Sequence, residues 1–320
     1  MRAYIIQRLL QAVIVLLLVT IVIFLVMRLL PGDPILLYLT QDEYSAASIS
    51  EEKIAAMRHE FGLDRPLAIQ YFSWLGNIFR GNLGKSIMFS TTVTSEIGKC
   101  LPITLHLGIL AFILAVIFGI PLGTIPAVRH GTFLDTIVTT IANIGITAPV
   151  FWVGILLIYV FSAYLGWLPT YGYTSPFENF WLSILHSIMP VFSLMLFPLA
   201  GIARQTRSSM LEVVRQDYVR TAFAKGLKER NIIVRHAMKN GLIPVVTMAG
   251  MQVRRLLGGT VLVENVFNIP GMGRLSTDAI FSQDYEVVQG VILVFATVVL
   301  LVNLIIDISY SWIDPRIRYG

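Results

Sequence analysis

The residues most suggestive of phosphate chemistry are a lysine and a serine directly after a glycine, Gly84-Lys85-Ser86. That order ends the P-loop of nucleotide-binding proteins, whose pattern is G-x-x-x-x-G-K-[ST]. The first glycine of the pattern would fall at position 79, which is occupied by Phe79. The missing glycine indicates that this chain has no nucleotide site of its own.

Other residues able to catalyse a reaction or bind a metal form no recognisable constellation. The five histidines stand at positions 59, 106, 130, 186 and 236. They lack the H-E-x-x-H spacing or any comparable ligand spacing, and no G-x-S-x-G elbow occurs. Asp135 and Asp307 are far apart at the edges of apolar segments, whereas a paired-carboxylate protease needs both inside the membrane. We therefore expect no catalytic residue, no metal site and no cofactor on this chain.

Composition and hydropathy place the chain in a membrane. Of its 320 residues 56% are hydrophobic and 13% charged, against about 25% charged in soluble domains, and the mean hydropathy is +0.74. The apolar blocks reach about 18 residues or more, the length needed to cross a bilayer. The predicted spans are 9–30, 101–127, 136–162, 186–203, 242–262 and 287–309. Because backbone polar groups in lipid must bond within their own segment, the predicted fold is an all-α membrane bundle of six transmembrane helices.

The distribution of basic residues orients these spans. Counting from a cytoplasmic N-terminus places fourteen Lys/Arg inside, and the long outer segment 31–100 then holds six against eight acids. This arrangement satisfies the positive-inside rule and predicts cytoplasmic N- and C-termini. The formal net charge of +5 is therefore a topology signal. We find no basic face with base-contacting motifs that would indicate a nucleic-acid partner.

An extracytoplasmic helical segment, 31–100, is predicted after the first span. Pro31-Gly32-Asp33-Pro34 turns the chain. The capping box Ser48-Ile49-Ser50-Glu51 predicts a helix over 49–61, and a second amphipathic helix ends at Gly81. Such helices either lie on the outer leaflet or cap the outer mouth of the bundle, and the pattern is compatible with an interfacial and with a partner-binding role.

The most basic segment, 204–239, connects two predicted spans. It contains nine Lys/Arg against three acids, which places it in the cytoplasm. Its interior, DYVRTAFAKGL, predicts a short helix with Asp217 as the N-cap and Gly226 at the end. The loop either only sets the topology or presents this helix, with Tyr218 and Phe223 on its surface, to a cytoplasmic partner.

Several longer motifs follow one another along the chain. The most specific are ARQTRSSMLEVVRQDYVRTAFAKGL (203–227) and LLGGTVLVENVFNIPGMGRL (256–275). LPGDP (30–34), EFGLDRPLAIQY (60–71) and LGWLP (165–169) accompany them. With these motifs the chain resembles, nearly end to end, the membrane permease subunits of ATP-binding-cassette (ABC) importers. The resemblance is to the branch that carries dipeptides, oligopeptides, glutathione and nickel chelates.

The resemblance implies a type I ABC importer permease domain over 95–309, preceded by an anchor helix, 1–30, and followed by a cytoplasmic tail, 310–320. It also implies that the loop 204–239 couples the pore to a cytoplasmic ATPase. The matching coupling residues are Glu212, Asp217, Tyr218, Ala222, Phe223 and Gly226. In this interpretation the small side chain of Ala222 permits close docking. The family's Glu-Ala-Ala here reads Arg-Thr-Ala, a departure that is common in the peptide branch.

The partners are likewise implied by the resemblance. They are a homologous second permease subunit, two ABC ATPase subunits that carry ATP and Mg, and an extracytoplasmic solute-binding protein, all at a prokaryotic inner membrane. Pro270, Gly271 and Gly273 would then lie at the outer gate and face the binding protein. The expected substrates are di- or oligopeptides, with a nickel or other metal chelate, glutathione or a small oligosaccharide as alternatives. A membrane receptor or scaffold without transport is the alternative of a different class.

Arg254 and Arg255 are adjacent inside the fifth predicted span. An arginine near the bilayer centre costs at least about 2.5–3.5 kcal/mol, so each needs water or an acidic partner. Either one of them lines the translocation pathway and meets an anionic group of the substrate, or they pair with Glu264, Asp307 or the partner permease. We assign Arg254, Arg255 and Glu264 to the pathway as a hypothesis.

Overall fold

The computed structural model describes residues 2–29, 35, 51–60, 62–88 and 91–313. Within these residues the regular structure is helical, and the one strand-like feature is an isolated bridge between Lys85 and Thr92. The predicted turn at 31–34, the capping residue Ser48 and the tail from residue 314 lie outside the described residues. The helices are α1 (Arg2–Leu29), α2 (Glu51–Glu60), α3 (Leu67–Phe79), α4 (Val93–Val128), α5 (Phe133–Thr147), α6 (Val150–Leu157), α7 (Phe180–Val214), α8 (Asp217–Ala224), α9 (Glu229–Asn231), α10 (Met238–Gly241), α11 (Ile243–Val266), α12 (Met272–Phe281) and α13 (Tyr285–Ile313).

Two of the connections are π-helical. Ile158–Tyr164 continues α6, and Ile232–Ala237 joins α9 to α10. The contacts divide the chain into two compact units. The first contains Met1–Ile103 and Pro270–Leu300, and the second contains Thr104–Ile269 and Leu301–Gly320. The linear domain boundaries given above remain predictions.

In the first unit, α1, α3 and α13 share a hydrophobic core. The Phe24 ring of α1 lies 6.1 Å from the Trp74 ring and 5.4 Å, edge to face, from the Tyr71 ring, both on α3. Val287 of α13 is fully buried in the same cluster. Gly81 has φ +76°, the left-handed conformation that ends α3 as predicted. The second predicted helix of the outer segment thus buries one side against the first span.

By length and apolar composition, four described helices could cross a membrane: Ile6–Leu29, Val93–Val128, Phe180–Val214 and Tyr285–Asp307. The pair Phe133–Thr147 and Val150–Tyr164 would make a fifth. The helix α11 covers the predicted span 242–262 but is less apolar, since Gln252, Arg254 and Arg255 interrupt it. With 24 residues it is about 36 Å long, which still exceeds the about 30 Å of a bilayer core.

The predicted span 136–162 is broken, and its two halves are bent by 105°. The break falls at Ala148 and Pro149. Proline disfavours helical backbone in the residue before it, and Ala148 accordingly has φ −69° and ψ 126°, an extended conformation. The predicted span 136–162 is therefore present as two helical halves separated at Ala148 and Pro149. Pro190 and Pro198, by contrast, lie inside α7 without ending it.

The second unit is built around α7, which packs against α5, α6 and α11. Glycine lets α4 approach α7 closely. A Cβ on Gly119 would lie 2.9 Å from the side chain of Ile202, and a Cβ on Gly123 would lie 2.5 Å from Cβ of Thr206. Both separations are shorter than real contacts allow. The glycine pair four residues apart is therefore a helix-packing feature of this bundle.

Candidate functional site

The Gly84-Lys85-Ser86 segment takes part in packing within the first unit. The hydroxyl of Ser86 donates a hydrogen bond of 2.5 Å to Oδ2 of Asp284, just before α13. Burial raises the pKa of this carboxyl, while the Ser86 hydrogen bond opposes the shift. A Cβ on Gly84 would clash with the carboxylate of Glu286. A carboxylate against this glycine is unfavourable for binding an anion such as phosphate.

The basic segment 204–239 is largely helical. The helix α7 continues through its first part and ends at Val214, so the predicted span 186–203 is part of a 35-residue helix. Glu212 is exposed near the end of this helix, on regular structure instead of a loop. Local apolar periodicity missed this extension because the residues after Ala203 are mostly polar and charged.

The short helix predicted inside this segment is present as α8. Its N-cap residue is Gln216, with φ −73° and ψ 148°, and Asp217 is the first helical residue. The prediction of Asp217 as the N-cap was therefore wrong by one residue. The Asp217 carboxylate lies beside the positive end of the helix dipole and 3.8 Å from the guanidinium of Arg220. At the other end, Gly226 has φ +71° and donates its N–H to the Phe223 carbonyl at 2.9 Å, as a helix-ending glycine does.

One side of α8 is used by the chain itself. Val219 and Ala222 are buried and pack with Ile232 and Val213. Ala222 is only 6% exposed, so it offers little surface of its own, and its role in docking stays a prediction. Its small side chain lets α8 lie close to the π-helical segment.

Large side chains that flank the buried side of α8 remain exposed. Tyr218, Phe223 and Leu227 are 41%, 48% and 42% exposed, although each is large and apolar. The Tyr218 hydroxyl accepts a hydrogen bond of 3.0 Å from the side-chain amide of Asn240, which orients the ring. Together with the exposed side chain of Asp217, these residues form what we call the α8 surface. Exposed aromatic residues on a firmly packed helix are typical of a protein–protein contact.

The base of the α8 surface is fixed to α7. Met210 of α7 is fully buried with Ala237 and Ala127. A Cβ on Gly241, the last residue of α10, would lie 2.8 Å from Sδ of Met210. This close packing joins α7, through Met210, to the segment that contains Ala237 and Gly241.

An ion pair that the sequence did not predict joins α5 to α7. Nε of Arg207 donates to Oδ1 of Asp135 at 2.7 Å, and Nη2 donates to Oδ2 at 2.9 Å. Nδ1 of His130 lies 3.0 Å from Oδ2, and the Gly131 N–H donates to the same oxygen at 3.1 Å. The two partners are 72 residues apart, and Arg207 is one of nine basic residues in its segment, so spacing alone gives no signal.

The two arginines of α11 differ in their surroundings, although both are exposed. The Arg255 guanidinium lies 5.3 Å from the centroid of the Phe197 ring, and Arg255 lines a cavity that Arg254 does not. Among the described residues, neither arginine forms an ion pair with Glu264 or Asp307. Glu264 is fully buried and accepts a hydrogen bond of 2.6 Å from Thr104. The predicted pairing of an arginine with Glu264 was therefore wrong.

The segment predicted to face a binding protein has one exposed member. Pro270 is exposed, whereas Gly271 and Gly273 are buried. Gly271 is the N-cap residue of α12, and its carbonyl accepts the N–H of Leu275 at 3.0 Å. The two glycines therefore build the start of α12, and of these three residues only Pro270 is exposed.

Comparisons with known proteins agree with this architecture. The family of binding-protein-dependent transport system inner membrane components matches residues 119–319, and the family of the N-terminal part of such membrane components matches residues 1–108. A probable peptide ABC transporter permease protein, y4tP of Sinorhizobium fredii, is 40% identical over 319 residues, with 100% of both chains covered. The oligopeptide transport system permease protein AppB of Bacillus subtilis is 40% identical over 322 residues, again with 100% of both covered.

A solved structure supports the fold. A chain of the MetNI methionine ABC transporter, solved in inward-facing conformations, superposes with a TM-score of 0.58 and 17% identity, covering 69% of this chain and 97% of that chain. Such a low identity shows the fold alone. The broken and continuous apolar helices thus define a multi-pass membrane protein with the fold of ABC importer permeases. The chain belongs to the family of binding-protein-dependent transport system inner membrane components.

Proposed function

We propose that this chain is the membrane-spanning pore subunit of an ATP-driven importer of short peptides. The observation that carries the proposal is the end-to-end similarity, at about 40% identity, to proteins named as peptide and oligopeptide permeases. A dipeptide transport system permease protein, DppB of Alkalihalophilus pseudofirmus, is 39% identical over 339 residues, with 100% of both chains covered. Metal chelates, glutathione and small oligosaccharides remain alternative substrates.

The α8 surface is the proposed contact with an ATPase. Tyr218 and Phe223 supply exposed aromatic area, and Asp217 supplies a negative charge at the edge of an otherwise basic segment. Ala222 and Gly226 act indirectly, the first by packing α8 inward and the second by ending it. Glu212, exposed near the end of α7, lies at the margin of this contact.

The proposed assembly contains a homologous second permease subunit and two ATPase subunits, each of which carries ATP and Mg. A solute-binding protein delivers the peptide from outside and contacts Pro270 and the outer segment 31–100. The importer lies in a prokaryotic inner membrane, with both termini of this chain and the α8 surface in the cytoplasm. The nine basic residues of 204–239 support this orientation.

The test is to co-express the chain with ATPase subunits and a binding protein and to measure co-purification and substrate-stimulated ATP hydrolysis. Tyr218→Ala and Phe223→Ala should each reduce co-purification and stimulated ATP hydrolysis. Truncating an aromatic residue at the centre of an interface costs about 1–4 kcal/mol of binding free energy. Phe177→Ala is the matched control, since Phe177 is 99% exposed in a predicted outer loop. If both α8 variants bind and hydrolyse like the wild type, the α8 surface is not the ATPase contact.

A further inference from the structure

A cavity of about 360 Å³ lies in the second unit, beside the break between α5 and α6. Its wall includes Ala148 and Pro149 from the break, Phe197 from α7, and Gln252 and Arg255 from α11. The volume falls in the lower part of the about 300–1,000 Å³ range of small-molecule sites. It is large enough for one end of a small substrate.

Arg255 is the one charged side chain among the described residues that line this cavity. Its guanidinium is held near the Phe197 ring and forms no ion pair with a described carboxylate. A planar guanidinium that is oriented but not neutralised keeps its donors for an anionic ligand, and its fork geometry fits a carboxylate.

Gln252 adds a second polar group to the same wall. It is 4% exposed, and its Oε1 has no hydrogen-bond partner among the described residues. Residues three apart share one face of a helix, so Gln252 and Arg255 line the cavity together. Arg254 is rotated by about 100° from Arg255 and lies outside the wall. A buried amide without a partner is unfavourable unless a ligand supplies the missing hydrogen bond.

The broken span supplies backbone groups at the same place. Val150, the first residue of α6, lines the cavity, and the first N–H groups of a helix have no partner inside that helix. The positive end of the α6 dipole therefore lies at the wall. In membrane transporters, interrupted helices commonly place such ends at anionic groups of the substrate.

We propose that this cavity is a recognition subsite for the C-terminal carboxylate of a short peptide. Arg255 binds the carboxylate, and the Gln252 oxygen accepts a hydrogen bond from a peptide N–H. The apolar remainder of the wall, which includes Leu194 and Leu256, holds the last side chain of the peptide. The inference rests on the proposed peptide-importer function and adds to it the chemical group that is recognised and the residues that bind it.

The test uses the complete importer, with its ATPase subunits and binding protein, in proteoliposomes. ATP-driven uptake is measured for radiolabelled trialanine and for trialanine amide, which lacks the carboxylate. Arg255→Gln should lower the efficiency of trialanine uptake about tenfold or more, as expected when a hydrogen bond to a charged group is lost. It should leave uptake of the amide unchanged. Arg129→Gln, a control at an exposed arginine outside the cavity wall, should transport both probes like the wild type.

Two further variants keep the result interpretable if Arg255→Gln assembles poorly. Arg255→Lys retains the positive charge and should recover part of the trialanine uptake. Gln252→Glu places a second carboxylate beside the carboxylate of the bound peptide and should lower trialanine uptake. Uptake is expressed per assembled complex. Unchanged trialanine uptake in Arg255→Gln and Gln252→Glu, or an equal loss for trialanine and its amide, would overturn the subsite alone. If the wild-type importer takes up neither trialanine nor trialanine amide, the peptide-importer function is overturned, and the subsite with it.

Discussion

Arg207 and Asp135, which are 72 residues apart in the chain, form a bidentate ion pair between α7 and α5, with donor–acceptor distances of 2.7 and 2.9 Å. The Asp135 side chain is 7% exposed and that of Arg207 is 27% exposed. A bidentate pair with this much burial is stronger than an ordinary surface salt bridge. It holds the start of α5 against α7, the helix that carries the α8 surface.

Breaking this pair should destabilise the bundle. We expect Asp135→Asn and Arg207→Gln each to cost about 1.5–3 kcal/mol, the usual contribution of a hydrogen bond to a charged group. Because the two residues contact each other, the double variant should cost less than the sum of the single ones. The thermal midpoint of the purified complex is the measurement, and Arg129→Gln, at an exposed arginine, is the control. Strict additivity of the two single effects would show that the contact contributes nothing.

The end of α8 should tolerate only residues that accept left-handed backbone. No atom lies within 4 Å of a Cβ placed on Gly226, so any penalty there comes from φ +71° itself, about 1–2 kcal/mol for most residues. We expect Gly226→Val to insert normally into the membrane but to lose substrate-stimulated ATP hydrolysis. Asparagine adopts this conformation more readily than valine, so Gly226→Asn should keep most of the stimulated ATP hydrolysis. If substrate stimulates ATP hydrolysis in Gly226→Val as strongly as in the wild type, the conformation at the end of α8 is not needed for coupling.

Close packing of α4 on α7 should make Gly123 sensitive to a single methyl group. Gly123→Ala places Cβ 2.5 Å from Cβ of Thr206, and relieving such an overlap costs about 1–3 kcal/mol. On the same helix, a Cβ on Gly108 would meet no atom within 4 Å. Gly108→Ala should therefore be neutral or stabilising, by up to about 1 kcal/mol. Yield and thermal midpoint of the two variants can be compared directly, and equal values would argue against a close helix contact at Gly123.

The chain alone should hydrolyse no ATP. Phe79 stands where a P-loop needs its first glycine, and Ser86 is engaged with Asp284. Phosphate release by the purified single chain should equal the background, and activity should appear when ATPase subunits are added. Hydrolysis by the single chain that disappears in Lys85→Ala would contradict this expectation.

Features with a local chemical cause could be predicted from the sequence. Gly81 and Gly226 end helices because glycine adopts positive φ without strain, and both have it. The apolar blocks became helices because length and composition alone suffice for a membrane span. The close approach at Gly123 likewise follows from the small size of two glycines four residues apart.

Features that depend on tertiary contacts could not be predicted. The continuation of α7 to Val214 depends on packing of Met210 against Ala237, which lies 27 positions further along the chain. Ala222 matched a docking residue by motif, but Ile232 covers it. Pro149 explains locally why the helix breaks at Ala148, but the 105° angle between the two halves, which both pack against α7, has no signal in the sequence pattern.

The unbroken course of α7 has a mechanical consequence. Phe197 lines the cavity, and Val213, sixteen residues later, packs against the base of α8. At 1.5 Å per residue these two points are about 24 Å apart on one rod. In the importer proposed above, a tilt of that helix imposed at the α8 surface would also displace the cavity wall, so α7 would act as a lever between the proposed ATPase contact and the proposed substrate cavity.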